Sequence, residues 1–300
     1  MGLNFKQETA PKYGVATPWS PLVTRVLCKN PSPFTYTGTG TFIIGNTDVA
    51  IIDPGPDNED HLKALLKAIG DRPVRGILIT HNHTDHSPLA VKLAEATSAP
   101  IIGPKLPDAF IEAGEGAVKM DAGLDHTYAP DQIITDGQAI SGEGWTLKAV
   151  HTPGHVSHHM SYHLIEEKSL FCGDHIMGWA TSVIIPPEGN LRAYLKSLSD
   201  LLGQGYERFY PTHGLAIDNP DKFMRATIVH RHMREGQILS CIKDGRSTVA
   251  DMVGHMYKNV DVRLHGAAAL SVMAHLIALL EEGKITADQK DLKSAVFHLK

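Results

Sequence analysis

The sequence predicts an α/β fold followed by a smaller C-terminal domain of three helices and a hairpin. Short apolar runs alternate with amphipathic helical patterns through the first two thirds of the chain, which is typical of strands separated by helices. The last eighty residues show helical periodicity instead. The chain has 300 residues, of which 42% are hydrophobic and 20% charged, so it has enough apolar material for a packed globular protein.

The first half supplies the clearest elements. Residues 41–45 and 49–53 predict two strands around a turn at 46–48. Four apolar residues spaced i, i+3, i+4 and i+7 between Leu62 and Ile69 then predict a helix that ends at Gly70. Residues 76–80 predict a buried strand that leads into His81. Ser87 and Pro88 fit the N-cap and first position of another helix.

Later elements follow the same alternation. A helix is expected over residues 191–202. The remaining strand predictions are residues 100–102, 132–135, 146–150, 161–164 and 170–172, with a short strand near Phe209.

The C-terminal region has its own pattern. Apolar positions predict three helices, around residues 238–242, 249–256 and 270–280, and residues 285–299 fit a hairpin, which together are typical of a winged helix. The turn signal at 218–220 is a plausible joint, so we predict a catalytic domain at 1–221 and a winged-helix-like domain at 222–300. The second domain carries 12 Lys and Arg against 8 Asp and Glu, a net charge of +4, and the remainder carries 16 against 25, a net charge of −9.

The cysteine content and the apolar stretches of the sequence predict where the protein is found in the cell. Three distant cysteines, Cys28, Cys172 and Cys241, form neither a CxxC pair nor a disulfide framework, so a cytoplasmic protein is expected. Residues 1–13 lack the apolar core of a signal peptide. The longest apolar stretch, residues 267–280, is too short to cross a bilayer and is predicted to be a buried helix. No membrane association is expected.

The strongest functional signal is the segment from His81 to His86, which reads His-Asn-His-Thr-Asp-His directly after a predicted strand. Three later candidates each follow a predicted strand and adjoin glycine or proline: His151, Asp174 and His213. Imidazole and carboxylate groups suit zinc, and iron or manganese could occupy the same ligands.

The number of candidates predicts two metal ions. His81, His83 and His151 would hold the first ion, and Asp85, His86 and His213 the second, with Asp174 bridging them. Two such ions about 3.5–4 Å apart lower the pKa of a shared water, so that hydroxide is available at neutral pH. Asp85 is the predicted catalytic residue, because it could orient a metal-bridging hydroxide.

These residues resemble the metallo-beta-lactamase superfamily, whose motif is HxHxDH followed by separate His, Asp and His ligands. The resemblance covers residues 20–215 and implies a four-layer αββα sandwich with two zinc ions at one edge. The chain is also similar to the beta-lactamase-like protein 2 group, through residues 30–35, 38–42, 53–55, 173–175 and 232–239 and through the winged helix. That group usually has Asn where Gly40 stands here and Tyr where Phe42 stands, changes expected to remove polar groups near the mouth of the site.

Several residues near the ligands have two interpretations. Asp53 either orients a ligand histidine or forms a turn. Four histidines close to the ligands in sequence either contact substrate or a ligand or are ordinary hydrogen-bonded or exposed residues: His155, His158, His159 and His175. Trp179 and Thr181 either line a substrate pocket or pack in the core. Outside this region, Arg231, Arg234 and Arg246 either contact phosphate or face solvent.

The resemblance implies a zinc-dependent hydrolase and leaves the scissile bond open, since the group includes RNA-cutting members and thioesterases. We favour a small ester, thioester or lactone as substrate, because the acidic catalytic region would repel polyanions. A single-stranded RNA endonuclease, with RNA bound by the basic C-terminal domain, is the alternative, and a beta-lactam hydrolase ranks behind both. A winged-helix regulator with a metal-sensing body is disfavoured by the intact hydroxide-generating site. Homo-oligomerisation is left open.

Overall fold

Two β-sheets packed face to face form the body of the protein in a computed structural model that describes residues 3–107, 123–259, 261–262 and 265–300. The first sheet holds seven strands in chain order. They are β1 (Thr17–Pro18), β2 (Val23–Leu27), β3 (Gly40–Ile44), β4 (Val49–Ile52), β5 (Val74–Leu78), β6 (Ile101–Gly103) and β7 (Gln132–Ile133). Neighbours are antiparallel from β1 to β4 and parallel from β4 to β7.

The second sheet holds five strands in the order β12-β11-β10-β9-β8. They are β8 (Ala139–Gly142), β9 (Trp145–His151), β10 (Met160–Leu164), β11 (Ser169–Gly173) and β12 (Arg208–Pro211). Only β11 and β12 pair in parallel among these strands. The strands predicted at residues 146–150, 161–164 and 170–172 and near Phe209 are therefore confirmed. Strands β1, β2 and β8 were not predicted, and β2 was obscured because Arg25 interrupts its apolar run and is buried against Glu8.

The inner faces of the sheets form one apolar core. Its largest members include Phe42 from the first sheet and Trp145, Tyr162, Phe171 and Tyr210 from the second. Phe42 is 1% exposed and packs edge-on or tilted against aromatic neighbours, so the expectation that it lies near the mouth of the site is wrong. An apolar ring suits this place because a buried hydroxyl would need a hydrogen-bond partner.

Helices cover the outer faces and complete the predicted αββα sandwich. On the first sheet lie α1 (Glu59–Ile69) and α2 (Ala90–Thr97), and on the second lies α3 (Leu191–Leu201). Helix α1 ends at Gly70, as its sequence predicts, and its start is capped by the Asn58 side chain, which accepts from the His61 amide. Helix α2 begins later than predicted. Ser87 does not cap it, because its hydroxyl donates to Asp125 instead, and Leu89 precedes the first helical residue.

The C-terminal region is a winged-helix domain, as predicted. It comprises α4 (Pro220–Lys243), α5 (Val249–Met256), α6 (His265–Glu281) and a hairpin of β13 (Ile285–Ala287) and β14 (Phe297–Leu299). Helix α4 serves both parts of the chain. Its start packs Met224 against α3, and its end packs Ile238 and Ile242 into the core of the C-terminal domain. The boundary between residues 221 and 222 stays a prediction.

Across the parts of the chain that the structure describes, no helix combines the length and apolar character needed to cross a membrane. Helix α6, which contains the longest apolar stretch of the sequence, instead buries its apolar side chains among α3, α4 and α5.

The loop that leaves β9 is clamped onto α3. The Gly154 carbonyl accepts from the Asn190 amide at 2.8 Å, and the Pro153 carbonyl accepts from the Ser197 hydroxyl at 2.8 Å. Gly154 has a φ of +148°, and a Cβ at this position would lie 2.4 Å from the Tyr194 Cα. Only glycine therefore allows the loop to approach the helix this closely.

We expect Gly154→Ala to lower the free energy of unfolding by about 3 kcal/mol or more, because backbone strain and a backbone clash add. Gly203→Ala is the matched control, since Gly203 also has a positive φ, +76°, and its Cβ would meet no atom within 4 Å. That variant should lose only about 1 kcal/mol. Urea unfolding followed by fluorescence measures both, and equal losses would contradict the clash.

Candidate metal centre

The segment from His81 to His86 forms a tight loop directly beyond β5. Three contacts with Asp125 hold it: the Asn82 carbonyl accepts from the Asp125 amide at 2.7 Å, the Asn82 amide group donates to the Asp125 carbonyl, and the Ser87 hydroxyl donates to the Asp125 carboxylate at 2.6 Å. The four predicted ligands of this segment are all buried, each at most 8% exposed. The loop therefore presents them from a rigid backbone.

The first group of ligand atoms consists of His81, His83 and His155. Nε2 of His81 lies 2.9 Å from Nδ1 of His83, and Nε2 of His155 lies 3.1 Å from the same Nδ1. Nδ1 of His155 donates to the Val183 carbonyl at 2.6 Å, which leaves Nε2 without a proton and turned toward the group. Three imidazole nitrogens thus converge on one small volume.

His151 does not belong to this group. It is the exposed last residue of β9, paired in register with Met160, and its Nε2 donates to the Ser157 carbonyl at 3.0 Å. His155, rather than the predicted His151, lies beside His81 and His83. The reason is local: in His-Thr-Pro-Gly-His the first histidine still continues the strand, whereas the turn at Gly154 directs the second inward.

The second group consists of Asp85, His86 and His213. The Asp85 carboxylate lies 3.1 Å from Nε2 of His213 and 3.5 Å from Nε2 of His86. Asp174 follows β11 and lies between the two groups. Its Oδ1 is 3.4 Å from His213 and 3.6 Å from His86, and its Oδ2 is 3.8 Å from Nε2 of His155 in the first group.

Asp53 orients His86 from beneath the site. Its fully buried carboxylate accepts from Nδ1 of His86 at 2.8 Å, from the Thr80 amide and hydroxyl at 2.8 Å each, and from the Thr212 hydroxyl at 3.1 Å. Nε2 of His86 is thereby turned toward Asp85 and Asp174. The Thr80 hydroxyl also accepts from Nδ1 of His81 at 3.0 Å. Through Thr80, Asp53 therefore also orients a histidine of the first group.

The motif at residues 30–39 supports the far side of the site. The Asn30 side chain pairs with the Thr39 amide and hydroxyl, and that hydroxyl donates to the Asp85 carbonyl at 2.9 Å. Nδ1 of His213 donates to the Gly38 carbonyl at 3.1 Å. Gly40 donates its amide to the Thr212 carbonyl, and a Cβ there would lie 2.6 Å from the Arg25 side chain.

The electrostatics of the two groups differ. Burial lowers the pKa of His155 to about 4, and burial with neighbouring histidines holds the pKa of His81 well below its usual value. Burial opposes the charged form of Asp85 as well, but His86 and His213 outweigh it and lower its pKa to about 2. Burial opposes the charge of His86 too, yet Asp85, Asp53 and Asp174 raise its pKa well above the usual value. In the first group the lowered pKa values favour neutral rings for His81 and His155, whereas the second group pairs histidines with carboxylates.

These atoms fit metal ions. Three sets of ligand atoms lie within 4.8 Å of one another: His81 with His83 and His155, His81 with His86 and Asp174, and Asp85 with His86 and His213. Four buried atoms of the site have no hydrogen-bond partner in the described structure: Asp85 Oδ1, His86 Nε2, Asp174 Oδ1 and His213 Nε2. Buried polar atoms are costly to leave unpaired, so their convergence indicates cation binding.

The other predicted site residues lie around this centre. His175 is buried, with its ring 4.9 Å from Tyr194, and neither ring nitrogen has a partner among the described residues. Trp179 stacks on Tyr36 at 5.0 Å, and Thr181 is half-buried on the same loop. A cavity of about 360 Å³ lies between the loop after β9 and the segment after β6. It is lined by His151, Ser157, His158 and residues 104–107.

The sequence carries only weak signals for several residues of the site. It marks His155 as a possible neighbour of the ligands, and the glycine before it, which indicates a turn, is the signal that could have placed it beside His81 and His83. Thr80, Thr212 and Asp125 carry no signal of their own, because a threonine or aspartate next to a ligand is common in loops.

Comparison with known proteins agrees with this geometry. Residues 36–213 match the metallo-beta-lactamase superfamily, and residues 248–293 match the beta-lactamase associated winged helix domain. The chain is 32% identical over 257 residues to an atrochrysone carboxyl ACP thioesterase of Cryptosporiopsis sp., covering 84% of this chain and 72% of that protein. It is 30% identical over 271 residues to the beta-lactamase-like protein 2 homolog of Caenorhabditis elegans, covering 89% and 86%.

Two solved structures share the whole fold. A beta-lactamase domain protein from Burkholderia ambifaria superposes with a TM-score of 0.77 at 19% identity, covering 99% of this chain and 97% of that one. A metallo-beta-lactamase family protein from Thermus thermophilus also gives 0.77, at 22% identity, covering 94% and 100%. From its ligand loops, its αββα sandwich and these matches, the chain belongs to the metallo-beta-lactamase superfamily of hydrolases and carries that superfamily's associated winged-helix domain.

Proposed function

We propose that this protein is a dinuclear metal hydrolase that cleaves a small thioester or a related ester or lactone. The observation that carries the dinuclear assignment is the position of Asp174, whose two carboxylate oxygens face different ligand groups. His81, His83 and His155 would hold one ion, and Asp85, His86 and His213 the other, with Asp174 shared. All seven residues come from one chain, so the site needs no second subunit, although a homo-oligomer stays compatible with it.

Two bound ions would supply Lewis acidity and a hydroxide nucleophile at neutral pH. The residues of the chain position this chemistry. Oδ1 of Asp85 has no hydrogen-bond partner among the described residues, while Oδ2 faces His213, so Oδ1 is the atom available to orient the attacking water. In thioester hydrolysis that water forms the new C–O bond, the C–S bond breaks, and the thiol leaves with a proton.

The ligand set favours zinc, since three imidazoles and mixed imidazole and carboxylate groups both suit it. Iron and manganese accept the same donors. Elemental analysis of the purified protein by plasma mass spectrometry distinguishes the three metals.

The names of two relatives, and the burial or pairing of two arginines, support an acyl substrate over RNA. The Cryptosporiopsis protein described above and a relative from Aspergillus chevalieri, 32% identical over 251 residues, are both atrochrysone carboxyl ACP thioesterases. Against single-stranded RNA as substrate, Arg231 is 4% exposed and cannot reach a phosphate, and Arg246 is paired with Asp244. Beta-lactam hydrolysis has no feature of this chain in its favour beyond the superfamily.

The ligand assignment predicts different effects for the two histidines of His-Thr-Pro-Gly-His. His155→Ala should reduce bound metal from about two ions to about one per chain, because it removes one of three imidazoles from the first group. His151→Ala is the matched control and should keep wild-type metal content, since that ring lies outside the groups. Elemental analysis after dialysis measures both, and metal loss in His151→Ala alone would reverse the assignment.

Asp85→Asn should lower kcat by about 10²–10⁴-fold, because the amide cannot accept a proton from the attacking water. The protein would be offered acyl thioesters, lactones and single-stranded RNA, with and without chelator. Chelator-sensitive thioester turnover that is lost in Asp85→Asn supports the proposal.

Two results of that screen would count against the proposal. RNA cleavage without acyl turnover would make the protein a nuclease. Wild-type rates in an Asp85→Asn variant with full metal content would remove Asp85 from the catalytic role.

A further inference from the structure

Arg231 is a buried cation in the middle of α4, on the helix that joins the winged-helix domain to the sandwich. It is 4% exposed, and its guanidinium donates to the Ser182 carbonyl. The same guanidinium lies over the Tyr194 ring of α3, 5.4 Å from the centroid. Burying a guanidinium is costly unless its contacts compensate, so this placement needs a reason.

The Ser182 carbonyl belongs to the loop that supports a proposed metal ligand. The next carbonyl, that of Val183, accepts from Nδ1 of His155 at 2.6 Å. The Ser182 hydroxyl donates to the His175 carbonyl at 2.8 Å and closes the loop that begins at Asp174. Arg231 is therefore one peptide unit away from the acceptor that sets the orientation of His155.

Tyr194, whose ring lies under the Arg231 guanidinium, supports the other side of His155. Tyr194 packs against Gly154, the residue that precedes His155, so closely that a Cβ on Gly154 would meet the tyrosine backbone. The His175 ring lies 4.9 Å from the Tyr194 ring. Arg231 thus contacts both supports of His155: the carbonyl loop on one side and the α3 tyrosine on the other.

We propose that Arg231 is a positioning residue for the metal centre, which couples the C-terminal helical domain to the ligand His155 through the Ser182–Val183 backbone and Tyr194. This inference rests on the metal binding proposed above. It assigns the winged-helix domain a role in ordering the site. Loss of the guanidinium frees the Ser182 peptide, and the Val183 carbonyl then holds the imidazole less firmly.

The test compares Arg231→Met with Arg225→Met, a control on the exposed surface of the same helix. Metal-free full-length protein is titrated with Co²⁺, whose visible spectrum reports ligand geometry, and with Zn²⁺ in competition with a chromogenic chelator. Arg231→Met is expected to weaken the first metal about 10-fold and to shift the Co²⁺ spectrum, a loss typical of residues that orient metal ligands. Arg225→Met should match wild type.

A double-mutant cycle separates positioning from general stability. In a His155→Ala background, where about one ion per chain is expected to remain, Arg231→Met should weaken binding of that remaining ion by less than about twofold, because the ligand through which Arg231 acts is gone. Arg231→Lys keeps a donor for the carbonyl and should recover part of the lost affinity. If Arg231→Met does not fold, Arg231→Lys is compared with Arg225→Lys in the same titrations, and a weaker first metal and a shifted Co²⁺ spectrum only in Arg231→Lys are expected.

Wild-type affinity for the first metal ion in Arg231→Met would overturn the inference. If Arg231→Met does not fold, wild-type affinity in Arg231→Lys would overturn it instead. So would an equal loss with and without His155. Failure of the proposed function is distinguishable: a wild-type protein that binds no metal contradicts that proposal directly. A wild-type protein that binds metal but hydrolyses no thioester contradicts only the substrate.

Discussion

The buried carboxylate of Asp53 is the constraint on which the geometry of the centre depends. It follows β4, has a φ of +47°, and accepts hydrogen bonds from two separate segments: Thr80 and the candidate ligand His86 after β5, and Thr212 after β12. A fully buried carboxylate is stable only when its oxygens are paired in this way. Because β5 belongs to one sheet and β12 to the other, satisfying Asp53 also brings the ligand-bearing ends of both sheets together.

The same principle recurs at the other ligands. His155 and His213 each donate Nδ1 to a backbone carbonyl, of Val183 and Gly38 respectively. Each imidazole therefore turns its Nε2 inward, and in the neutral ring this nitrogen carries the lone pair that can bind a metal ion. The orientation of these candidate ligands depends on carbonyl groups of irregular loops, and these loops in turn depend on close packing at Gly154 and Gly38.

The C-terminal domain participates in this support. Helix α4 packs on α3 at one end and builds the winged-helix core at the other. Between these contacts Arg231 reaches the Ser182 carbonyl, and Glu235 pairs with Arg192 of α3. Arg231 is too deeply buried to contact a nucleic acid at the surface of the protein. The basic character of this domain, which suggested RNA binding from composition alone, is in part internal structure.

The sequence by itself determined the fold class and most of the candidate centre. The strands that end shortly before His81, Asp174 and His213 were predicted from short apolar runs, because buried strands are rich in apolar residues. The end of helix α1 at Gly70 was predicted from the sequence, because a glycine there stops the helix locally. What only the tertiary structure decided was the choice between His151 and His155, the start of α2, and the burial of Phe42 and Arg231. Each of these depends on a partner distant in sequence: Tyr194 beside Gly154, Asp125 beside Ser87, the opposite sheet beside Phe42, and Ser182 beside Arg231. Local sequence patterns predict the type of an element and the residues that cap it. They do not predict which distant residue will pack against a side chain or form a hydrogen bond with it.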